Sequence, residues 1–394
     1  AALPPEVQPT LTETHDAQVL TPIQQRFFER FPHGESHWNQ AVLLRVGGAL
    51  ERPLLERVVA DLVDAHDALR LRFHESVDGW RQQVVPQETA RIVEYFDLRD
   101  DADWTTTLEI ESTRLQQSLS LETGPILRVG YFEREGEARL LLAIHHLAVD
   151  GVSWRVLLDE LQQRYDDASS APDESQGIRT SLPDTLPWSI WVARQNAFAQ
   201  SDAIQHEAAW WRAALRHARA SLPVASSAYR AAPHPITAKL DAEWTRQLLQ
   251  AAPRAYRTNV EDLLLTALTQ TIAAWSGERG VLVSLEGHGR EALDDELDLS
   301  RTVGWFTTQY PVWLETDEAP STAIKGVKER LRAVPRKGLG FGWLRAALAD
   351  LPVPQIGFNY LGQFDQSLET GGRFSFASES GGATMSDAHP ADMV

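Results

Sequence analysis

Two short segments concentrate the side chains able to move protons. The first, His145-His146-Leu147-Ala148-Val149-Asp150-Gly151, lies where the apolar run Leu140–Ile144 ends and a helical pattern begins. Histidine changes protonation near neutrality and can act as acid or base. Neighbouring residues on a strand point to opposite faces. One of the two histidines is therefore expected to face the core and the other the site. Asp150 can cap the following helix, and Gly151 permits unusual dihedrals at the turn. Taken alone, a histidine at a strand end is more often a satisfied structural residue than a functional one. It is poorly arranged for a metal, because the i,i+4 spacing of His146 and Asp150 brings ligands together only on a helix, and no metal site is expected.

The second segment is Glu286-Gly287-His288-Gly289-Arg290-Glu291, again at the end of an apolar strand pattern. Glycines on both sides of a histidine let the backbone bend sharply and come close to another segment. Taken alone the segment says little, since a carboxylate there could pair with Arg290 and do nothing more. Other motifs fail on inspection. Lys337-Gly338-Leu339-Gly340-Phe341-Gly342 alternates glycines but follows no strand and matches neither a dinucleotide fingerprint nor a phosphate loop. Gly151-Val152-Ser153-Trp154 lacks the second glycine of a nucleophile elbow. Trp210 and Trp211 lie within a helical pattern and read as core.

The elements that must hold these segments alternate between strand and helix. Gln40–Val46 reads as a strand, and Leu54–Ala65 has helical spacing with Leu55, Val58, Val59 and Leu62 on one face. Strands are predicted at Leu69–Phe73, Arg81–Val85, Ile92–Phe96, Ile126–Tyr131 and Leu140–Ile144, and helices at Thr107–Leu119 and Ser153–Tyr165. The polar stretch Asp166–Asp184 reads as a linker. Beyond it come helices at Trp188–Phe198, Ala203–Leu215, Asp241–Leu249, Val260–Trp275 and Ala323–Val334, with strands at Val281–Leu285, Trp305–Leu314 and Gln355–Tyr360. The pattern predicts an α/β protein of two parts, 1–175 and 176–394. After Asp365 the chain turns rich in Gly, Ser and Ala, and no further element is expected there; the end reads as disordered or cropped.

Composition removes several classes of function. The 394 residues contain no cysteine, which excludes disulfides, thiolate metal sites and cysteine nucleophiles. A net charge of -18 disfavours nucleic acid and anionic lipid as partners. No apolar run reaches the roughly 20 residues that span a bilayer. The segment Ala1–Val7 has no signal-peptide pattern, so a cytoplasmic location is expected.

With these residues in view, the chain resembles the condensation-domain superfamily of nonribosomal peptide synthetases, through the HHxxxDG signature at 145–151. That signature is shared by condensation, cyclisation and epimerisation members. Other segments resemble the epimerisation members: Thr21–Phe28, the HHxxVDxVSW form of 145–154, the EGHGRE motif at 286–291, and Arg301–Val312 as RTVGWFTxxYPV. Pro335–Gly342 and Phe358–Phe364 are similar to the two remaining motifs. The resemblance runs in family order from residue 21 to residue 364.

It implies two chloramphenicol-acetyltransferase-like lobes arranged as a V, with the site in the cleft. The implied reaction is epimerisation, from L to D at the α-carbon, of an aminoacyl or peptidyl residue held as a thioester. His146 and Glu286 are the implied proton-transfer pair. His145, Asp150, Gly151 and Arg290 would support the site, with an Asp150–Arg290 ion pair between the lobes. His288, Trp305, Asn359 and Tyr360 are candidates for substrate contacts. The chain would bind no cofactor of its own; the substrate would arrive on the 4′-phosphopantetheine arm of a peptidyl carrier protein. That carrier and neighbouring synthetase domains are the expected partners, and an excised domain is expected to be monomeric. A condensation domain and a catalytically silent docking module remain as alternatives. Family members usually add a strand and a helix after the last motif, whereas here only a polar tail is legible.

Overall fold

The computed structural model describes residues 15–170, 182–183, 185–219, 222–223, 236–291, 293, 297–362 and 372–386. The chain segregates into two compact units. The larger comprises Ala2–Phe198, Ala292–Phe306 and Leu361–Val394; the smaller comprises Ala199–Glu291 and Thr307–Tyr360. This is not the linear division at 175/176 that the polar stretch suggests. Aromatic packing of Trp188 and Trp191 on Phe306, and pairing of a late strand with an early one, tie later segments to the first part of the chain.

In the larger unit, helix α1 (Pro22–Arg30) starts at a capping box, in which the Gln24 carboxamide oxygen accepts the Thr21 N–H at 2.9 Å. Strand β1 (Asn39–Val46) follows, then α2 (Arg52–Ala65), which buries the predicted face of Leu55, Val58, Val59 and Leu62. The hairpin β2 (Leu71–Ser76) and β3 (Gly79–Val84) comes next. Strand β2 starts later than the predicted Leu69, because Asp67–Arg70 form a 3-10 turn. That turn aims the Asp67 carboxylate at a later helix, where it accepts Trp188 N–H at 2.7 Å and Ser189 N–H at 2.9 Å. Then come β4 (Val93–Asp97), α3 (Trp104–Gln117), β5 (Leu127–Arg134) and β6 (Glu137–His145).

Strand β6 is buried over nearly its whole length, as its continuous apolar run requires of a central strand covered on both faces. It lies between β1 and β5, antiparallel to both, with Asn39 opposite His145. Strand β4 completes one edge, parallel to β5. Helix α4 (Gly151–Ser170) runs on past the predicted start of the linker; 171–181 and 184 lie outside the described residues. Helix α5 (Trp188–Ala199) closes the first long stretch of the unit.

The smaller unit begins with α6 (Asp202–Leu215). The helix predicted to end at Leu249 instead continues as α7 (Ala242–Arg246), a π-helical turn at Gln247–Ala251 and α8 (Ala252–Tyr256). Pro253 has no N–H to donate, which interrupts the regular ladder at that place. Helix α9 (Val260–Ser276) opens on an Asn259/Asp262 capping box and ends at Gly277 in the left-handed region, φ 73°. Strand β7 (Gly280–Gly287) pairs antiparallel with β8 (Thr308–Glu315). Strand β8 is shorter than predicted, because 305–306 belong to the larger unit. Helices α10 (Pro320–Arg332) and α11 (Phe341–Leu344) follow, and β9 (Ile356–Phe358) lies parallel to β7.

The expectation that nothing ordered follows Asp365 is corrected. Strand β10 (Phe374–Phe376) returns to the larger unit and pairs antiparallel with β1, with Val46 opposite Phe374. Phe374 is buried, Asn39 N–H donates to Thr384 O at 2.7 Å, and His37 Nε2 lies 2.8 Å from Ala383 O. One of the glycines that read as disorder serves close approach. A Cβ on Gly382 would stand 2.5 Å from the Thr113 backbone nitrogen, and its φ is +80°. Both units are thus mixed α/β, as predicted. Among the described residues no helix is long and apolar enough to cross a membrane.

Candidate active site

The two histidines of the first motif part as strand alternation requires. His145, the last residue of β6, is fully buried, and its ring meets Phe27 edge-on at 5.5 Å. Its Nδ1 receives the Leu147 N–H at 3.2 Å, and since a backbone N–H only donates, the ring proton sits on Nε2 and is given to Glu35 O at 2.8 Å. Burial pushes the His145 pKa down from 6.5 to about 3, which keeps the ring neutral.

His146 turns the other way and is partly exposed. Its ring packs on two indoles that also touch each other at 5.5 Å, stacked on Trp38 at 4.8 Å and tilted against Trp305 at 4.6 Å. Nδ1 lies 2.9 Å from Val149 O, and Nε2 lies 2.9 Å from the side-chain nitrogen of Gln40. Burial also lowers the His146 pKa, against the opposing pull of its backbone hydrogen bonds and the Asp150 charge.

Asp150 is buried and satisfied. One carboxylate oxygen accepts the Ser153 N–H at 2.8 Å, capping α4, and lies 2.8 Å from Ser153 Oγ; the other accepts the Phe306 N–H at 3.1 Å. Ser153 Oγ also lies 2.9 Å from Gly304 O and accepts the Gly304 N–H at 3.1 Å. Asp150 and Ser153 therefore pin the segment that carries Trp305 against His146. Gly151 opens α4, exposed and outside the left-handed region, so the dihedral freedom expected of it is not used.

In the smaller unit Glu286 stands at the end of β7. The parallel register Leu285↔Phe358 makes Asn359 its neighbour, and the Asn359 amide donates to the Glu286 carboxylate at 2.5 Å. Asn359 and Tyr360 are exposed. His288 Nδ1 accepts the Arg290 N–H at 3.1 Å, and its Nε2 faces Glu291 at 3.2 Å. Glu291 also pairs with Lys337 Nζ at 2.8 Å. The flanking glycines permit this crowding: a Cβ on Gly287 would stand 2.7 Å from Thr308 Oγ1, and Gly289 has φ 67°. Tyr310, buried beside Glu261 and Glu291, has its pKa raised, first by burial and then by those charges.

His145, His146, Asp150, Gly151 and Trp305 thus come together in the larger unit, and Glu286, His288, Arg290, Asn359 and Tyr360 belong to the smaller. Several supporting residues escaped the sequence reading. Trp38 and Gln40 flank the start of β1 and touch His146 directly. Gln24 and Gln82, both fully buried, bond to each other at 3.1 Å, and Gln24 reaches Leu147 O at 3.3 Å, so the first helix supports the histidine loop. The available signal was a set of polar residues inside otherwise apolar elements.

A family model described as the condensation domain matches residues 14–386. Tyrocidine synthase 2 of Brevibacillus parabrevis is 36% identical over 376 residues, covering 91% of this chain and 10% of that protein. The chain therefore spans a small part of such relatives. The solved epimerization domain from the third module of tyrocidine synthetase B superposes with a TM-score of 0.84 at 34% identity, covering 97% of this chain and 87% of that one. The X-domain from teicoplanin biosynthesis shares the fold, with a TM-score of 0.70 at 20% identity over 89% of this chain and 79% of that one.

Proposed function

The chain belongs to the condensation-domain family, and from that premise we propose that it is the epimerisation member of a nonribosomal peptide synthetase, inverting the α-carbon of an aminoacyl or peptidyl thioester. The observation that carries this reading is its likeness, through almost all of its length, to a solved epimerization domain. The EGHGRE and TVGWFT segments add to it.

Inversion at an α-carbon needs proton transfer on both faces. The Cα–H bond breaks, its electrons pass into a thioester enolate, and a proton is then delivered from the opposite side. His146 and Glu286 are the pair we assign to these transfers. His146 is neutral with a lowered pKa, so it can take a proton and readily release it. The Asn359 amide holds one oxygen of Glu286 and aims the carboxylate. Arg290 is assigned to the support of the site. His288, Trp305 and Tyr360 are assigned to the substrate. The substrate would be presented on the phosphopantetheine arm of a carrier protein, and the domain would act in the cytoplasm beside other synthetase domains.

The test is α-proton exchange. A carrier loaded with an L-aminoacyl or L-peptidyl phosphopantetheine thioester is incubated with the protein in deuterated water, then analysed by chiral chromatography and mass spectrometry. Deuterated D product is expected, lost in His146→Ala and in Glu286→Gln. Full exchange in Glu286→Gln removes that residue from the pair. Peptide-bond formation with a second loaded carrier, and no exchange, moves the protein to the condensation reaction.

A further inference from the structure

One side chain that none of the motifs contains controls the ring of His146. Gln40, on β1, is the bridge between that ring and the start of α4. Its carboxamide oxygen lies 2.7 Å from the indole nitrogen of Trp154, and its carboxamide nitrogen lies 2.9 Å from His146 Nε2. An indole N–H can only donate, so the atom facing it must be the amide oxygen. The opposite orientation would set an N–H against an N–H. Trp154 is itself nearly inaccessible to solvent, which holds the indole in place. The Gln40 nitrogen is therefore obliged to donate, and His146 Nε2 is obliged to accept. At the other end of the ring, a carbonyl only accepts, so Nδ1 carries the proton and gives it to Val149 O at 2.9 Å.

We propose that Gln40, locked by Trp154, is a positioning residue that holds His146 as the neutral Nδ1–H tautomer, with Nε2 reserved as the atom that transfers a proton on its own face of the α-carbon. This rests on the reading of His146 as catalytic. The consequence for the reaction is directional. When Nε2 receives the α-proton, the substrate C–H bond breaks and its electron pair enters the enolate. The Gln40 N–H has to yield its place on Nε2, and it then faces a second N–H. The protonated ring finds no acceptor in Gln40, so it is disposed to release its proton, while Glu286 on the opposite face delivers the proton that completes the inversion. The ring packs against the uncharged indoles of Trp38 and Trp305, and the charged or titratable neighbours on the ring's own segment are Asp150 and His145.

The experiment is nitrogen NMR of the whole protein labelled with 15N-histidine, with the His146 signals identified by their loss in His146→Asn. In the wild type at neutral pH, one ring nitrogen should be protonated, Nδ1, and Nε2 bare. Gln40→Glu replaces the donor with an acceptor of the same shape. The ring should then show both nitrogens protonated, and kcat for epimerisation should fall by roughly 10²-fold with KM little changed. Trp154→Phe frees the amide to turn its oxygen towards the ring, and the Nε2–H tautomer should become populated. An Nε2–H ring in the wild type, or a bare Nε2 in Gln40→Glu, overturns the proposal. So does a wild-type kcat in Gln40→Glu. Exchange surviving in His146→Ala sinks the catalytic reading instead, and leaves the tautomer measurement to stand or fall by itself.

Discussion

The adjacent histidines are the same residue type with opposite proton positions. His145 receives a backbone N–H at Nδ1 and keeps its proton on Nε2. His146 gives its Nδ1 proton to a backbone carbonyl and leaves Nε2 to accept. The buried one is a structural base that must stay neutral. Its folded pKa lies below the unfolded value, so its contribution to stability is complete above pH 6.5 and is lost as the pH falls towards about 3. Urea midpoints measured from pH 7 downward should therefore decline through this window in the wild type. The decline should be shallower in His145→Gln; an unchanged slope would show that His145 does not titrate with unfolding. Asp150 is the second residue with a large stake. Asp150→Ala leaves the Ser153 and Phe306 N–H donors buried without an acceptor. A loss of about 1–3 kcal/mol for each orphaned donor is expected, read by denaturant unfolding; wild-type stability in that variant would remove this role.

Among the elements, the segment 302–306 and helix α4 depend on each other. Gly304 lies against Trp188 so closely that an added Cβ would stand 2.2 Å from the indole ring. Gly304→Ala should cost about 1–3 kcal/mol through overpacking. It should also lower the proposed epimerisation, because the same segment holds Trp305 against His146; thermal unfolding and the exchange assay separate the two effects. Helix α4 is fastened elsewhere by Glu160, which is fully buried. Burial alone would raise its pKa, but bonds from His66, Arg164 and Arg301 outweigh it and bring the carboxyl to about 2. This is a depressed carboxylate, so its contribution is present above pH 4.5 and lost as the pH falls towards 2. Acid unfolding should show this second step, and Glu160→Gln should remove it while destabilising the protein at pH 7.

For the whole molecule, the notable feature is that the larger unit is assembled from three separated stretches of chain. Its sheet is completed by β10, and β1 would otherwise present an unpaired edge. Ending the chain after residue 362 would remove the Phe374 side chain from the core, along with the β1 pairing. Losing Phe374 alone costs about 1.5–3 kcal/mol of burial, so a lower melting temperature and a tendency to aggregate through β1 are expected, measured by calorimetry and light scattering. Unchanged melting would mean that the edge is not stabilised by β10.

The elements with strong periodicity were legible from the sequence, because hydrophobic spacing is a local property of the chain. The α2 face, the buried run of β6 and the strand ends at His145 and Glu286 are of this kind. Residue types and motif spacing also singled out the candidate proton-bearing residues, whose roles belong to the proposal. What the sequence hid depends on partners distant along the chain. The polar tail became a strand through pairing with β1, more than three hundred residues earlier. The division into units followed packing of Trp188 and Trp191 on Phe306. Gln40 reads as one more polar residue at a strand start until folding sets it between an indole that can only donate and a ring that must accept. Residue type determined that His146 could carry a proton; only the tertiary structure decided which nitrogen carries it, because hydrogen-bond direction depends on what each atom faces.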